Sequence, residues 1–343
     1  MKILAVGDSY MPSRYFAAAF AELERAHEIE YLDVDDSRPF EPSTPSELKL
    51  REYQGSPAEL AAHMGAVEAL AVQGAPVTDT VLDASSALRL VCCARGGPVN
   101  VDVDAVSARG LPLVNTPGKN AEAVADLTMA FLVMLARGLP KGQRFLEEGH
   151  QLRDNWEGAK FMGSDLRRHV LGLVGYGQIG SRVVGRALPF GLTVLVYDPF
   201  VEVNGVEQVS SLEELLGRAD FVSLHARATP ENENMIDAAA LAAMKPGAFL
   251  VNTARETLVD EDALDAALES GRLGGAALDV VRTTEQSGRH RLLRHENVVM
   301  TPHLGGATHE TLLQGAEMIA EEILRFAAGE PLVNVVNRAA AAA

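Results

Sequence analysis

Gly172-Leu173-Val174-Gly175-Tyr176-Gly177-Gln178-Ile179-Gly180 is the stretch on which the fold turns. An apolar run from Val170 ends in G-x-G-x-x-G, and a helical pattern follows from Ile179 to Phe190. Strand, glycine turn and helix form the context that a dinucleotide fingerprint needs. Gly175 permits the tight turn. Gly177 lets a pyrophosphate lie against the backbone, and Gly180 lets the helix pack close to the strand. Gln178 and Ile179 contribute through backbone and packing. The free amides and positive end of the helix then face the phosphates. Asp198 lies 18 residues after Gly180 and ends the next apolar run, Thr193 to Tyr197. Its carboxylate suits the two ribose hydroxyls and repels a 2′-phosphate, and Pro199-Phe200 offers no arginine to bind one. That pattern predicts NAD rather than NADP. The alternative is a Rossmann-like sheet that holds no dinucleotide.

Outward from this stretch, strand-like and helix-like segments alternate in two series. The first has strands at Ile3–Val6, Ile29–Val34, Ala69–Val72, Arg89–Cys93 and Leu111–Asn115, with helices at Phe16–Arg25, Asp79–Ala87 and Val103–Arg109. The second has strands at Val170–Val174, Thr193–Tyr197, Phe221–His225, Ala248–Asn252, Gly275–Val280 and Asn297–Thr301. Its helices fall at Ile179–Phe190, Leu212–Gly217 and Glu261–Glu269. Such alternation predicts parallel sheets covered on both faces. Two long helical patterns stand apart, Asn120 to Leu139 and Thr308 to Ala328. The first is apolar on most sides, so it is expected between layers, domains or subunits. Polar residues 141 to 168 read as a connecting segment. Pro331 to Val336 is expected to return to the first sheet. The pattern as a whole predicts α/β architecture, with two doubly wound domains and a cleft between them.

Composition narrows the function. At roughly 150 residues per domain, 343 residues imply two domains. Apolar residues make up 47%, enough for real cores, and aromatics only 5%, so small residues let helices lie close on sheets. Net charge is 30 − 47 = −17, which repels phosphate backbones and argues against a nucleic-acid partner. Cys92 and Cys93 are adjacent in an apolar run, a spacing that rarely reaches disulfide geometry. A reduced, cytoplasmic protein is expected. The opening run Met1 to Asp8 is shorter than the apolar core of a signal peptide. No run of about 18 apolar residues is present to span a membrane.

Several ordered motifs now align with one family. Asn115-Thr116-Pro117-Gly118 precedes the long apolar helix, and the fingerprint and Asp198 follow. Leu224-His225, Thr229-Pro230-Glu231, Val251-Asn252-Thr253-Ala254-Arg255, Ala277-Leu278-Asp279-Val280 and Thr301-Pro302-His303-Leu304-Gly305-Gly306 complete the series. Over nearly its whole length the chain resembles the D-2-hydroxyacid dehydrogenase family, the group that includes phosphoglycerate dehydrogenase. The resemblance implies a Rossmann NAD-binding domain, residues 119–309, inserted into a discontinuous flavodoxin-like substrate-binding domain, residues 1–118 and 310–343. It implies NAD as cofactor, no metal, a small 2-hydroxy or 2-keto acid as substrate, and a homodimer.

It also implies roles. The chemistry is hydride transfer between a hydroxyl carbon and nicotinamide C4. Arg255 follows an apolar strand and holds the substrate carboxylate and carbonyl, because a planar guanidinium matches a carboxylate and keeps its charge. Position alone leaves a surface arginine in an ion pair as the other reading. His303 is the acid/base, since histidine gains and loses a proton near neutral pH. His225, Thr229, Thr253, Ala254, Asp279 and Gly305 line the cofactor, with Asp279 at the nicotinamide carboxamide; a buried aspartate that caps a turn is the alternative for Asp279. His225 has the alternative of a packed strand-end residue. Relatives present backbone amides to the substrate carboxylate from the loop that is Arg95-Gly96-Gly97 here. Arg95 is expected to reach a second anionic group on the substrate, with Arg14 a weaker candidate; an arginine that pairs with the other domain is the alternative reading of Arg95.

Two departures stand out. Glu256 follows Arg255 where many relatives have glycine. The glutamate that supports the histidine falls, by count from Asp279, on Thr284, with Glu285 one residue later. Glu285 is favoured as the partner of His303, since a carboxylate fixes an imidazole and stabilises its protonated form. Two other functions remain open: a non-catalytic NAD(H)-sensing protein on the same fold, resembling co-repressors, and a formate or phosphite dehydrogenase.

Overall fold

The computed structural model describes residues 1–34, 40–153, 155–282 and 289–338. The chain forms two compact units. One is Met1–Lys119 together with the stretch from Thr308 on, and the other is Asn120–Ala307.

The first unit carries strands β1 (Lys2–Gly7), β2 (Glu28–Asp33), β3 (Ala69–Val72), β4 (Leu90–Cys93) and β5 (Leu113–Val114). They form one parallel sheet in the order β2-β1-β3-β4-β5, the flavodoxin-like arrangement. Alternation within β1 shows how it is covered. Leu4 and Val6 pack into one buried cluster, while Ile3 and Ala5 pack into the other. The second cluster is closed by Leu312, Ala316, Ile319 and Ile323 of the His309–Ala328 helix. Beyond that helix the chain returns to the sheet as expected. Val335 bridges Val114, and the Val336 amide donates to the Leu113 carbonyl at 2.8 Å.

The second unit carries β6 (Val170–Val174), β7 (Thr193–Tyr197), β8 (Glu207–Gln208), β9 (Phe221–Leu224), β10 (Phe249–Asn252), β11 (Gly275–Leu278) and β12 (Val298–Met300). Their parallel order is β12-β11-β10-β9-β6-β7-β8. Counted from β6, this is the 3-2-1-4-5-6 Rossmann order with one strand added. The glycine-, acid-, arginine- and histidine-bearing loops therefore leave the same, carboxyl-terminal edge of the sheet.

The apolar Ala121–Ala136 helix belongs to this unit. Ala125, Phe131, Leu132 and Leu135 share a buried cluster with Val183, Val184 and Ala187 of the Gln178–Ala187 helix and with Val251 and Ala277 of the sheet. Packing within its own unit thus covers much of its apolar surface, the between-layers placement among the three expected. Residues 141–168 are more than a connector. They hold the end of a Leu139–Glu147 helix and a 3-10 helix at Asn155–Phe161. Gly138, left-handed at φ 61°, separates the first of these from the preceding helix, and Pro140 sits in its first turn. Its polar residues bond outward: Arg144 donates to the carbonyls of Leu293 and Arg294.

A Pro57–Met64 helix also forms where none was expected. Ser56 accepts from the Glu59 amide and Pro57 opens the first turn, so its start signal was present in the sequence. Conversely, the expected Phe16–Arg25 helix stops at Ala19 and resumes as a 3-10 turn at Leu23–Arg25. Among the described residues, no single helix is long and apolar enough to cross a membrane.

Candidate functional site

The glycine loop after β6 is built by close approach. Gly175 has φ +101°, and a Cβ there would lie 2.8 Å from the His225 carbonyl oxygen. A Cβ on Gly180 would come within 2.3 Å of the Gly175 oxygen. These two glycines are therefore required by the chain itself. Gly177 is different, because a Cβ there meets no protein atom within 4 Å. The room over its backbone is open, at the start of a helix whose N-cap offers no side-chain hydrogen bond. That is the cradle a pyrophosphate needs. Gln178 accepts from Arg182, which reaches back one turn along the same helix, and Ile179 packs on the unit's core.

Asp198, after β7, does more than wait for a ribose. Its Oδ2 accepts from the Tyr176 amide at 2.8 Å, and its Oδ1 accepts from Phe200 and Val201 at 2.9 and 3.2 Å. It thus ties the glycine loop to its own turn. A carboxylate has about four acceptor positions, which leaves one of them for a hydroxyl donor. Beside it lies a pocket of about 380 Å³, lined by Tyr197, Asp198, Pro199, Gln208, Val209 and Ser210, none of them cationic. The glycine cradle and this pocket fit a dinucleotide.

His225 follows β9 and abuts the glycine loop. Nε2 lies 2.9 Å from Ser223 Oγ, while Nδ1 is buried with no partner among the described residues. Burial pushes its pKa down to about 4, so the ring is neutral. Packed strand-end residue and cofactor neighbour are compatible descriptions of it. Thr229 opens a 3-10 turn in a capping box with Asn232.

After β10, Asn252 holds the turn that carries the arginine. It is 1% exposed, its Oδ1 accepts from the Ala254 amide at 3.0 Å, and its Nδ2 donates to the Arg255 carbonyl at 2.8 Å. Thr253 Oγ1 lies 3.2 Å from Thr128 Oγ1. Arg255 is exposed, and its Nη1 donates to the Ala254 carbonyl. No ion pair joins it to Glu256 among the described residues. Motif reading assigned Asn252 no role of its own. Its signal was a polar side chain at the buried end of an apolar strand.

Asp279 follows β11 and is 1% exposed. Its Oδ1 accepts from Thr301 Oγ1 at 2.6 Å and from the Leu304 amide at 2.7 Å, and its Oδ2 accepts from the Gly305 amide at 2.7 Å. The His303 amide donates to the Asp279 carbonyl at 2.9 Å. The acid therefore clamps the loop that displays His303. A Cβ on Gly305 would lie 2.8 Å from Asp279 Oδ2, so this glycine admits the carboxylate rather than a ligand. His303 itself is exposed and left-handed, at φ 57°. A non-glycine residue held there is uncommon and clusters at functional sites. Glu285 and Thr284 lie outside the described residues.

The first unit has its own carboxyl-terminal edge. Asp8 follows β1, Gly74 follows β3 and Arg95 follows β4. The Ala94–Gly97 loop is held at three points by the segment after β5. Asn115 Nδ2 donates to the Gly96 carbonyl at 2.8 Å, the Thr116 amide to the Arg95 carbonyl at 3.0 Å, and Lys119 Nζ to the Ala94 carbonyl at 2.6 Å. This gives the Asn-Thr-Pro-Gly motif a physical purpose. Lys119 was not singled out from the sequence, and burial pushes its pKa down to about 8. Arg95 does not stand free. Its Nη2 pairs with the Glu52 carboxylate and its Nη1 donates to the Glu52 carbonyl at 2.7 Å. Arg14 stacks over Tyr15. Among the described residues no cluster of three or more His, Cys, Asp or Glu could hold a metal.

Both sheet orders, with the glycine cradle on the seven-stranded unit, define a nucleotide-binding α/β protein. Comparison with known proteins is more specific. Residues 129–305 match the family described as D-isomer specific 2-hydroxyacid dehydrogenase, NAD binding domain. The chain is 38% identical over 265 residues to the D-3-phosphoglycerate dehydrogenase of Synechocystis sp., covering 76% of this chain and 47% of that protein. It is 40% identical over 268 residues to the glyoxylate reductase of Korarchaeum cryptofilum, covering 77% and 80%. The TT0316 protein of Thermus thermophilus is similar in structure, with a TM-score of 0.77, 34% identity, and coverage of 98% and 100%. The chain belongs to the D-isomer specific 2-hydroxyacid dehydrogenase family, and NAD is its cofactor. It spans about half the length of the phosphoglycerate dehydrogenases it matches.

Proposed function

We propose that this chain interconverts a D-2-hydroxy acid and its 2-keto acid. The observation that carries this reading is the His303 loop. An exposed imidazole sits on a left-handed backbone that a buried aspartate clamps from beneath. It shares one sheet edge with Arg255 and with the glycine cradle.

Bound NAD(H) supplies or accepts the hydride. Arg255 binds the substrate carboxylate and polarises the carbonyl. His303 gives its proton to the carbonyl oxygen on reduction and takes it back on oxidation. Glu285 steadies the imidazole and stabilises its protonated form. Asp279 positions the histidine loop first, and its remaining acceptor position suits the carboxamide. Gly96 and Gly97 offer amides to the carboxylate, and Arg95 serves the far end of the substrate. Asp198 selects NAD over NADP. A homodimer is part of the proposal on a motive other than the apolar core helix. Leu139, Leu146, Trp156 and Met162 are between 49% and 87% exposed on and after the Leu139–Glu147 helix. Light scattering at micromolar concentration reads that state.

The decisive experiment follows NADH absorbance with a panel of 2-keto acids, with NAD plus formate or phosphite as controls. Turnover of a keto acid that His303→Ala abolishes supports the assignment. Silence across the panel, or turnover only of formate or phosphite, overturns it. Glu285→Gln should shift the pH profile of keto-acid reduction to lower pH, and an unchanged profile removes Glu285 from the mechanism.

A further inference from the structure

The cation expected to meet a substrate's distal group is already occupied by a carboxylate of the same chain. The Arg95–Glu52 pair is unequal in its two halves. Arg95 is 20% exposed and is rooted on the loop that Asn115, Thr116 and Lys119 hold. Glu52 is 71% exposed. Its backbone is fixed on both sides: the Arg51 amide donates to the Val99 carbonyl at 2.8 Å and the Gln54 amide to the Gly74 carbonyl at 3.0 Å. Between these anchors Glu52 takes φ +48°, the left-handed region that non-glycine residues avoid. The fold keeps that strain, and the result is that both the carbonyl and the carboxylate of Glu52 face one guanidinium.

The two contacts differ in permanence. The carbonyl is part of a pinned backbone. The carboxylate hangs on a flexible, solvent-exposed stem, and an exposed ion pair is weak because water and salt stabilise the separated ions nearly as well. A distal carboxylate or phosphate on a substrate anchored elsewhere gains bidentate contact with the guanidinium. The released Glu52 carboxylate returns to water.

We propose that Glu52 is a displaceable counter-ion, occupying Arg95 until the second anionic group of a dianionic 2-keto acid takes its place, so that this pair sets the preference between substrates with and without such a group. This rests on the proposed function and names its substrate class. The competition is quantitative: a ligand that needs Arg95 free binds less tightly in proportion to the fraction of molecules in which it is free.

The test compares KM for oxaloacetate, 2-oxoglutarate and 3-phosphohydroxypyruvate with KM for glyoxylate, in wild type, Glu52→Gln, Arg95→Gln and the double variant. Glu52→Gln should lower the dianion-to-glyoxylate KM ratio up to about fivefold, the ceiling for an exposed pair. Arg95→Gln should raise that ratio about tenfold or more, and in its background Glu52→Gln should have no further effect. A carboxylate-only or a phosphate-only response identifies the tail and supports the proposal in either case. A ratio unmoved by Glu52→Gln, or moved equally with and without Arg95, overturns it. Should wild type reduce no keto acid, the proposed function fails by itself. The pair is then tested by calorimetric titration of the full chain with malonate and with inorganic phosphate. Tighter binding of either probe by Glu52→Gln than by wild type supports displacement, and unchanged affinity for both probes overturns it.

Discussion

The carboxyl edges of the two sheets are built on different principles. On the seven-stranded sheet the motif acids bond to the chain's own amides. Asp198 ties down the glycine loop, and Asp279 ties down the histidine loop. On the five-stranded sheet the edge is ionic and self-opposed. Lys119 is a half-buried cation on a carbonyl and Arg95 is shared with Glu52, while Asp8, bonded to the Tyr10 and Met11 amides, repeats the pattern of the other sheet. The first edge is preset by hydrogen bonds that any bound molecule inherits. The second holds charges whose balance a ligand can change.

The largest expected effect breaks the fixed end at its tip. His303→Ala should lower kcat for keto-acid reduction by about 10² to 10⁴, the usual worth of a positioned acid/base, with NADH affinity as the control. A loss under about threefold would show that the clamped loop displays nothing chemical. Next is Asp198→Ala. It removes a charge-assisted acceptor and should weaken NAD by about ten- to a hundredfold while narrowing the gap to NADP, read by fluorescence titration with both cofactors. Equal binding of NAD and NADP by the unaltered protein would refute the selectivity assigned to this residue.

The same division explains what the sequence could disclose. The glycine fingerprint, Asp198, Arg255 and His303 each sit in a short run beside an apolar strand, so local pattern was enough to put them at a sheet edge. Contacts between segments distant in sequence were hidden. Asp279 is 26 residues from Gly305, and only the pairing of β11 with β12 brings them together. Glu52 is 43 residues from Arg95 in a stretch with no strong periodicity, and nothing local marks its left-handed backbone. The helices at Pro57–Met64 and Leu139–Glu147 were missed because short or polar segments carry a weak period. Their caps were the better signal.

Asp279→Asn probes the clamp without emptying it. The side chain becomes neutral, so the amides of Leu304 and Gly305 both lose a charged partner, and one of them faces an NH2 donor in place of an acceptor. A stability loss of about 2 kcal/mol in urea unfolding is expected, together with lower kcat. Full stability with lowered kcat would move the aspartate from the loop to the cofactor.

Lys119 gives the smallest and sharpest contrast, because its signature is a slope. Burial lowers its pKa from 10.5 to about 8 in the folded chain. Between those values the unfolded chain holds a proton that the folded chain has released. Stability therefore rises with pH across that window, by at most about 1.4 kcal/mol per pH unit from this group. Below about pH 8 both states carry the charge and the group gives no slope. Lys119→Met removes the titration and keeps most of the stem that packs near Gly315. Urea unfolding at about pH 7.5, 8.5 and 9.5 should show wild-type stability gaining on that of Lys119→Met as pH rises. Parallel curves would mean that Lys119 is hydrated as an ordinary surface cation. The five-stranded edge would then lose the half-buried charge that distinguishes it from its counterpart.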